Sequence, residues 1–188
     1  MAGWVGAGIP SAGDINRQVD LANLAFASAI PTFQTNHETM GDLRREVTPT
    51  LAVELRAGYW WKRRGTGLYT RRISAIPIEV GAVYSPLSSR RARAGVTAAA
   101  GVLYHATMSG EDPDGGIDFS ATGALAEAGI AAELAISPAW ALQGRTVARY
   151  ARAQNVFPDG GDFDLSGIAG TIGLRVTFAP PSSRKPAP

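Results

Sequence analysis

The clearest pattern in the chain is the alternation of large apolar residues with small or polar ones in its last extended segment, residues 163–178. The large residues all fall on even positions and are Ile168, Ile172, Leu174, Val176 and Phe178. A period of two predicts a β-strand with one apolar face. The segment is longer than an ordinary edge strand and ends on an aromatic ring, and both features are typical of strands that cross a bilayer.

The same alternation predicts seven further strands, at about residues 3–10, 39–47, 51–61, 74–84, 92–108, 117–136 and 139–153. Tight turns at 48–50, 85–91 and 137–138 would lie at one end of the sheet, with longer loops at the other. Residues 11–30 have apolar positions at helical spacing and predict a short helix in the first long loop. The sequence therefore predicts an all-β, eight-stranded antiparallel up-and-down transmembrane β-barrel over residues 1–178, followed by a disordered Pro-rich tail, 179–188.

Aromatic residues on the apolar face separate this prediction from a soluble, lipocalin-like barrel, whose apolar side would face inward with the same alternation. Threading the strands up and down places aromatic rings at both ends of that face. They are Tyr84, Trp140 and Phe178 at the turn end and Tyr59, Trp61, Tyr104 and Tyr150 at the loop end. Two aromatic girdles are typical of a membrane barrel and have no purpose in a soluble core.

The opposite face combines charged residues with many glycines and alanines. Small residues suit the narrow interior of an eight-stranded barrel, and buried ions require partners. We therefore expect a salt-bridge network in the interior and no open water channel. The network would be formed by Glu54, Arg56, Glu79, Glu127, Glu133, Arg145, Arg149 and Arg175.

Composition narrows the possibilities further. The chain has 188 residues, enough for one domain, and no apolar run long enough for a membrane helix. Its net charge of +2 is too small to indicate nucleic acid, and without cysteine it has no disulfides. A protein exported to an outer membrane needs a signal peptide, so we expect this to be a trimmed mature chain or one with a misplaced start.

From GWVGAGIP near the N-terminus to GLRVTF near the C-terminus, the pattern resembles the small outer-membrane β-barrel family, the OmpA-like and OmpW-like eight-stranded proteins. The resemblance implies a bacterial outer-membrane location and a structural or interaction role. It also implies that the last strand, ending at Phe178, is recognised by the barrel-assembly machinery. An OmpW-like conduit for small hydrophobic molecules is the alternative, for which only Leu103, Phe119 and Leu125 could line an apolar pocket.

Catalytic and metal-binding patterns are weak. The segment His105-Ala106-Thr107 is similar to the His-x-Ser of lipid A deacylase barrels, but Thr replaces Ser, and the alternation predicts that His105 faces the interior. His37, the other histidine, is far along the chain, and the acidic segments 111–115 and 159–164 read as solvated turns rather than ion sites. We therefore expect no enzyme activity, metal or cofactor.

A basic cluster lies at the loop end of the third and fourth predicted strands, beside Tyr59, Trp60, Trp61 and Tyr69. It consists of Lys62, Arg63, Arg64, Arg71 and Arg72. Such a cluster could bind the phosphates of lipopolysaccharide, with the rings at the interface. An ordinary solvated hairpin would have the same composition, and the sequence leaves both interpretations open.

Overall fold

The computed structural model describes residues 2–8, 37–66, 69–112, 115–154 and 163–178, with side chains for 37–61, 72–110, 119–154 and 164–178. Within these ranges the chain forms one antiparallel sheet. Its strands are β1 (Ala2–Gly8), β2 (His37–Glu46), β3 (Leu51–Thr66), β4 (Tyr69–Ser88), β5 (Ala92–Asp112), β6 (Gly115–Ala135), β7 (Trp140–Ala153), β8 (Phe163–Asp164) and β9 (Gly167–Thr177).

Each strand from β1 to β7 pairs with the next one along the chain, as an up-and-down connection requires. β9 pairs with β7 on one side and with β1 on the other, so the hydrogen bonding follows a closed circuit. The predicted all-β antiparallel up-and-down architecture is confirmed. No helix in the described part of the chain has the length and hydropathy to cross a membrane. The predicted helix at 11–30 and the tail at 179–188 lie outside the described residues.

The hairpins at the loop end are longer than the sequence predicts. Residues 62–66, predicted as part of a loop, continue β3 and pair with β4 up to Thr66 and Tyr69. The acidic segment after Met108 likewise continues β5, which pairs with β6 up to Asp112 and Gly115. Backbone pairing extends into these segments although their apolar alternation has ended, which is why the pattern of side chains could not reveal them.

The last predicted strand is interrupted. β8 and β9 are separated by Leu165 and Ser166, and Gly167 has a φ of 151°. The Ser166 amide donates to Asp164 Oδ1 at 2.7 Å, while the Leu165 amide donates to the Ala151 carbonyl oxygen at 2.8 Å. The segment thus stays joined to β7 across the break.

A bulge in β5 changes which side chains face outward. The register of β5 shifts between Leu103 and Ala106 against β6, and His105 has a φ of 49°. Beyond it Ala106 is buried, and Met108 packs against buried residues. The prediction for His105 is therefore wrong, since it is exposed rather than inside the sheet. Met108, which an unbroken alternation would turn outward, faces inward. One extra residue reverses the alternation of every residue that follows it.

The two faces of the sheet have inverted polarity relative to a soluble protein. Val80 on β4 and Ile172 on β9 are 66% and 62% exposed, whereas Arg56 on β3 is 1% exposed and Glu54 is also buried. Apolar side chains therefore cover the outside and charged side chains fill the inside. The reverse arrangement, which a soluble lipocalin-like barrel requires, is contradicted by these exposures.

Candidate functional site

Arg56 is the centre of the buried charges. Its Nε donates to Glu54 Oε2 at 2.9 Å, and its Nη1 donates to Oε2 of Glu79 at 3.3 Å and of Glu127 at 3.4 Å. Its Nη2 donates to Thr97 Oγ1 at 2.6 Å. Strands β3, β4, β5 and β6 each contribute a side chain to this contact group. A planar guanidinium with several fixed donors suits a site where acids converge from different directions.

A second group lies nearer the loop end, around Arg149 of β7. Its Nη1 donates to Glu38 Oε2 at 2.7 Å, and its Nε donates to Glu127. The guanidinium also stacks over the Trp60 ring, 4.0 Å from the ring centre. Glu127 contacts both Arg149 and Arg56, so the two groups form one continuous network.

A third group lies toward the turn end. Arg175 of β9 pairs with Glu133 and, at 3.5 Å, with Glu46. Arg44 of β2 lies 3.6 Å from Glu133 and 3.8 Å from Glu54. Through Arg44 the turn-end ion pairs connect to the central ones.

All eight residues that the sequence placed in the interior take part in these contacts, with Arg145 joining through Glu54 at 2.8 Å. The described interior also contains three charged residues that sequence reasoning did not include, Glu38, Asp42 and Arg44. These three residues share the parity of Met40, which is also buried on β2. The sequence did not reveal this shared face, because the segment carries charged residues on both faces. Five arginines and five acidic residues are buried in the described part of the chain, so their charges balance.

The interior changes character near the loop end, where apolar side chains replace charged ones. This apolar cap consists of Met40, Trp60, Ile73, Ala75, Leu103, Ala106, Leu125, Ala151, Ala153 and Leu165. The expectation that only Leu103, Phe119 and Leu125 could be apolar there was wrong, because the β5 bulge and the inward parity of Trp60 add members. The cap covers the ionic network on the side of the long hairpins.

The outer wall has aromatic residues at two levels. The exposed ones are Tyr84, Trp140 and Phe178 toward the turns and Tyr59, Tyr104 and Tyr150 toward the loops, while Trp61 is half-buried and stacks on Tyr59. Trp140 and Tyr150 lie ten residues apart on β7. That spacing is about 33 Å along a strand and about 25 Å along the membrane normal at a tilt of about 40°. It equals the height of the apolar band of transmembrane barrels, about 25 Å.

The basic cluster is described only in part. The backbones of Arg63 and Arg64 pair with those of Arg72 and Arg71 across the β3–β4 hairpin. The side chains of Lys62, Arg63, Arg64 and Arg71 lie outside the described residues. The Arg72 side chain is exposed, and its Nη2 donates to the Tyr59 hydroxyl at 3.3 Å. No group of three or more His, Cys, Asp or Glu side chains in the described ranges could hold a metal ion.

A sheet that pairs in a closed circuit, apolar outside and ionic inside, defines a β-barrel of the kind that lipid surrounds. Its fold is similar to that of Neisserial surface protein A, with a TM-score of 0.59 and 10% identity over 94% of this chain and 96% of that one. It is also similar to Ail, the attachment invasion locus protein of Yersinia pestis, with a TM-score of 0.50 and 12% identity over 94% and 95%.

A third similar structure is a major outer membrane protein from Thermus thermophilus, with a TM-score of 0.50 and 10% identity over 95% of this chain and all of that one. No protein-family model and no curated protein sequence matches this chain. At these identities the likeness concerns the fold. The chain has the fold of small outer-membrane β-barrel proteins, as the sequence pattern predicted.

Proposed function

We propose that this chain is an eight-stranded barrel of the bacterial outer membrane, with a structural or interaction role and a closed, charged interior. The observation that supports this most directly is the polarity of the wall. Exposed side chains such as Val80 and Ile172 would be costly in water but favourable in lipid, and the aromatic levels match the thickness of a bilayer.

The contents of the interior favour a closed barrel over a conduit. Side chains from strands that are not neighbours meet across the interior, as in the contacts of Arg56 with Glu127 and of Arg145 with Glu54. The apolar cap then covers this network at the loop end. A water-filled pore would separate these partners, and each buried ion would lose the contact that offsets its desolvation. An OmpW-like conduit for small hydrophobic molecules would need open space where the cap side chains pack.

We propose one partner for each end of the barrel, from the residues found there. The hairpin with Lys62, Arg63, Arg64, Arg71 and Arg72 would contact lipopolysaccharide phosphates. Ail, which has this fold, has been solved in complex with the heparin analogue sucrose octasulfate, a polyanion. At the other end, the last strand with its terminal Phe178 would be recognised by the barrel-assembly machinery during insertion.

Two measurements test the membrane placement and the closed interior. Protein refolded in detergent should migrate differently on a gel when unheated and when heated, because a folded barrel resists the detergent until it is boiled. Protein that is soluble without detergent and shows no such shift would overturn the membrane placement. In planar bilayers we expect no steady conductance steps, and reproducible steps would overturn the closed interior.

The lipopolysaccharide contact needs a separate test. Replacing Arg63 and Arg64 by glutamate should weaken binding of lipopolysaccharide to the refolded barrel, because like charges then meet the phosphates. The matched control is Arg90→Glu with Arg91→Glu, since both residues are exposed at the turn end. Equal binding by the two double variants would refute the contact.

A further inference from the structure

The described outer wall has a polar recess among its apolar residues. It lies on β4, β5 and β6 and has a volume of about 520 Å³. The recess is lined by Arg72, Ser74, His105, Thr107, Ser109 and Ser120. None of these six residues is acidic, and the lining therefore offers one guanidinium, one imidazole and four hydroxyl groups.

The β5 bulge creates this lining. Without the extra residue, the alternation of β5 would direct Met108 outward and Thr107 inward. With it, Ala106 is buried and Met108 packs inward, so Thr107 and Ser109 reach the outer wall. The left-handed backbone of His105, with a φ of 49°, is the local strain that accompanies the change.

The recess lies just beyond the aromatic level at the loop end. On the outer wall, Ile76 of β4 pairs with Tyr104 of β5, and the next outward pair along both strands is Ser74 with Thr107. The two pairs are about 7 Å apart along the strand. Because aromatic rings mark the boundary between acyl chains and headgroups, the hydroxyl pair lies at headgroup depth.

The contacts within the recess prepare it for an anion. Ser74 Oγ and Thr107 Oγ1 are 2.8 Å apart, and since each hydroxyl has one hydrogen, their mutual bond leaves one hydrogen to donate outward. Arg72 is held beside them by its bond to the Tyr59 hydroxyl at 3.3 Å, which uses one of its five donors. A cation with spare donors next to hydroxyl donors suits the oxygens of a phosphate monoester.

We propose that this recess binds the phosphate group of an outer-leaflet lipid, with Arg72 as the charged contact and Ser74 and Thr107 as hydroxyl donors. The site lies on the barrel wall beside the base of the hairpin: it shares Arg72 with the basic cluster, whereas its imidazole and hydroxyl groups come from residues outside that cluster. It rests on the proposed membrane placement, because only a barrel in a bilayer presents this level of its wall to lipid headgroups. The acyl chains of the bound lipid would lie against the apolar wall toward the turn end.

The test compares two lipids that differ only in the phosphate. Native mass spectrometry of the detergent-refolded protein should show phosphatidic acid bound and diacylglycerol with the same chains not bound. Arg72→Gln should weaken phosphatidic acid binding about tenfold, the effect of losing one charge-assisted contact. The double variant Ser74→Ala with Thr107→Val should weaken it to a lesser extent. Arg90→Gln is the matched control at the other end.

The outcomes separate the site from the fold. A refolded barrel that shifts on heating but binds phosphatidic acid equally well with Arg72→Gln and Arg90→Gln would overturn the site and leave the membrane placement intact. Loss of binding only in Arg63→Glu with Arg64→Glu would likewise refute the wall site in favour of the hairpin tip. Complete displacement of the lipid by millimolar inorganic phosphate would overturn a lipid ligand. Failure of the unaltered chain to shift on heating would instead remove the proposed function.

Discussion

Replacing Arg56 by methionine is the most direct perturbation of the interior, because this guanidinium contacts three carboxylates and a hydroxyl at the centre of the barrel. Methionine is also unbranched, but it is shorter than arginine and carries no charge. After the change Glu54 keeps its contact with Arg145 at 2.8 Å, and Glu127 keeps Arg149. Glu79 loses the guanidinium that it contacts at 3.3 Å while remaining buried.

The expected magnitude follows from that remaining charge. Removing one member of a buried ion pair costs about 3–5 kcal/mol, because the other is left without compensation. Glu79→Gln alone should cost about 1 kcal/mol, since Arg56 retains two carboxylates and the amide can still accept a hydrogen bond. Combining Arg56→Met with Glu79→Gln removes the uncompensated charge. The double variant should therefore be more stable than the sum of the single changes predicts, by about 1–3 kcal/mol.

Urea titration of the refolded barrel in lipid vesicles, followed by tryptophan fluorescence, gives the free energies of unfolding by linear extrapolation. The control is Arg93→Met at the rim, where Arg93 and its partner Glu46, 2.6 Å away, are each about one third exposed. An exposed pair of this kind contributes less than about 1 kcal/mol. If Arg56→Met is no more destabilising than Arg93→Met, or if the effects of Arg56→Met and Glu79→Gln simply add, the reasoning about the network is refuted.

Two further predictions concern the wall and the packing between strands. Val80 lies on β4 midway between the two aromatic levels, so Val80→Arg should lower the free energy of unfolding in vesicles by about 2–4 kcal/mol. Leu87 lies beyond the aromatic level at the turn end, and Leu87→Arg should lower it by about 1 kcal/mol or less. Equal effects at both positions would contradict the lipid-facing assignment. Gly101→Ala would bring a methyl group against the Ile78 carbonyl oxygen and within 2.7 Å of Glu79 Cα, and should cost about 1–3 kcal/mol. Gly144→Ala, with nothing within 4 Å, is its control, and matching denaturation midpoints for the two variants would refute the packing argument.

The strands could be predicted from the sequence because lipid imposes a strict requirement on every second side chain. Residues such as Leu174 and Ile172 must be apolar over the whole height of the bilayer, and the resulting period of two is visible without any knowledge of pairing. The same requirement ends at the headgroups. The extension of β3 to Thr66 and of β5 to Asp112 could not be predicted, because neither face of those segments is required to be apolar.

The bulge in β5 could not be predicted from the alternation, for a different reason. A bulge adds one residue and exchanges the faces, and no residue around His105 is of a type that demands the extra position. His105 was therefore assigned to the wrong face, and the sequence pattern did not indicate the polar recess. The two faces of the charged strand β2 could not be predicted either. Arg45 points outward and Arg44 points inward, so polarity alone did not separate the two faces.

The inverted polarity raises the question of what fixes the register of the strands, since lipid accommodates any apolar residue on the outer wall equally well. The ion pairs that β2 makes in the interior fix the register. A slip of one residue against β3 would turn Glu38, Asp42 and Arg44 toward lipid and bring Leu43 inward. It would also break the pairs of Glu38 with Arg149 and of Arg44 with Glu133, which join β2 to strands β7 and β6 across the interior. Because a charge facing the hydrocarbon core costs several kcal/mol, the ion pairs specify a single alignment of strands that apolar contacts alone would leave degenerate.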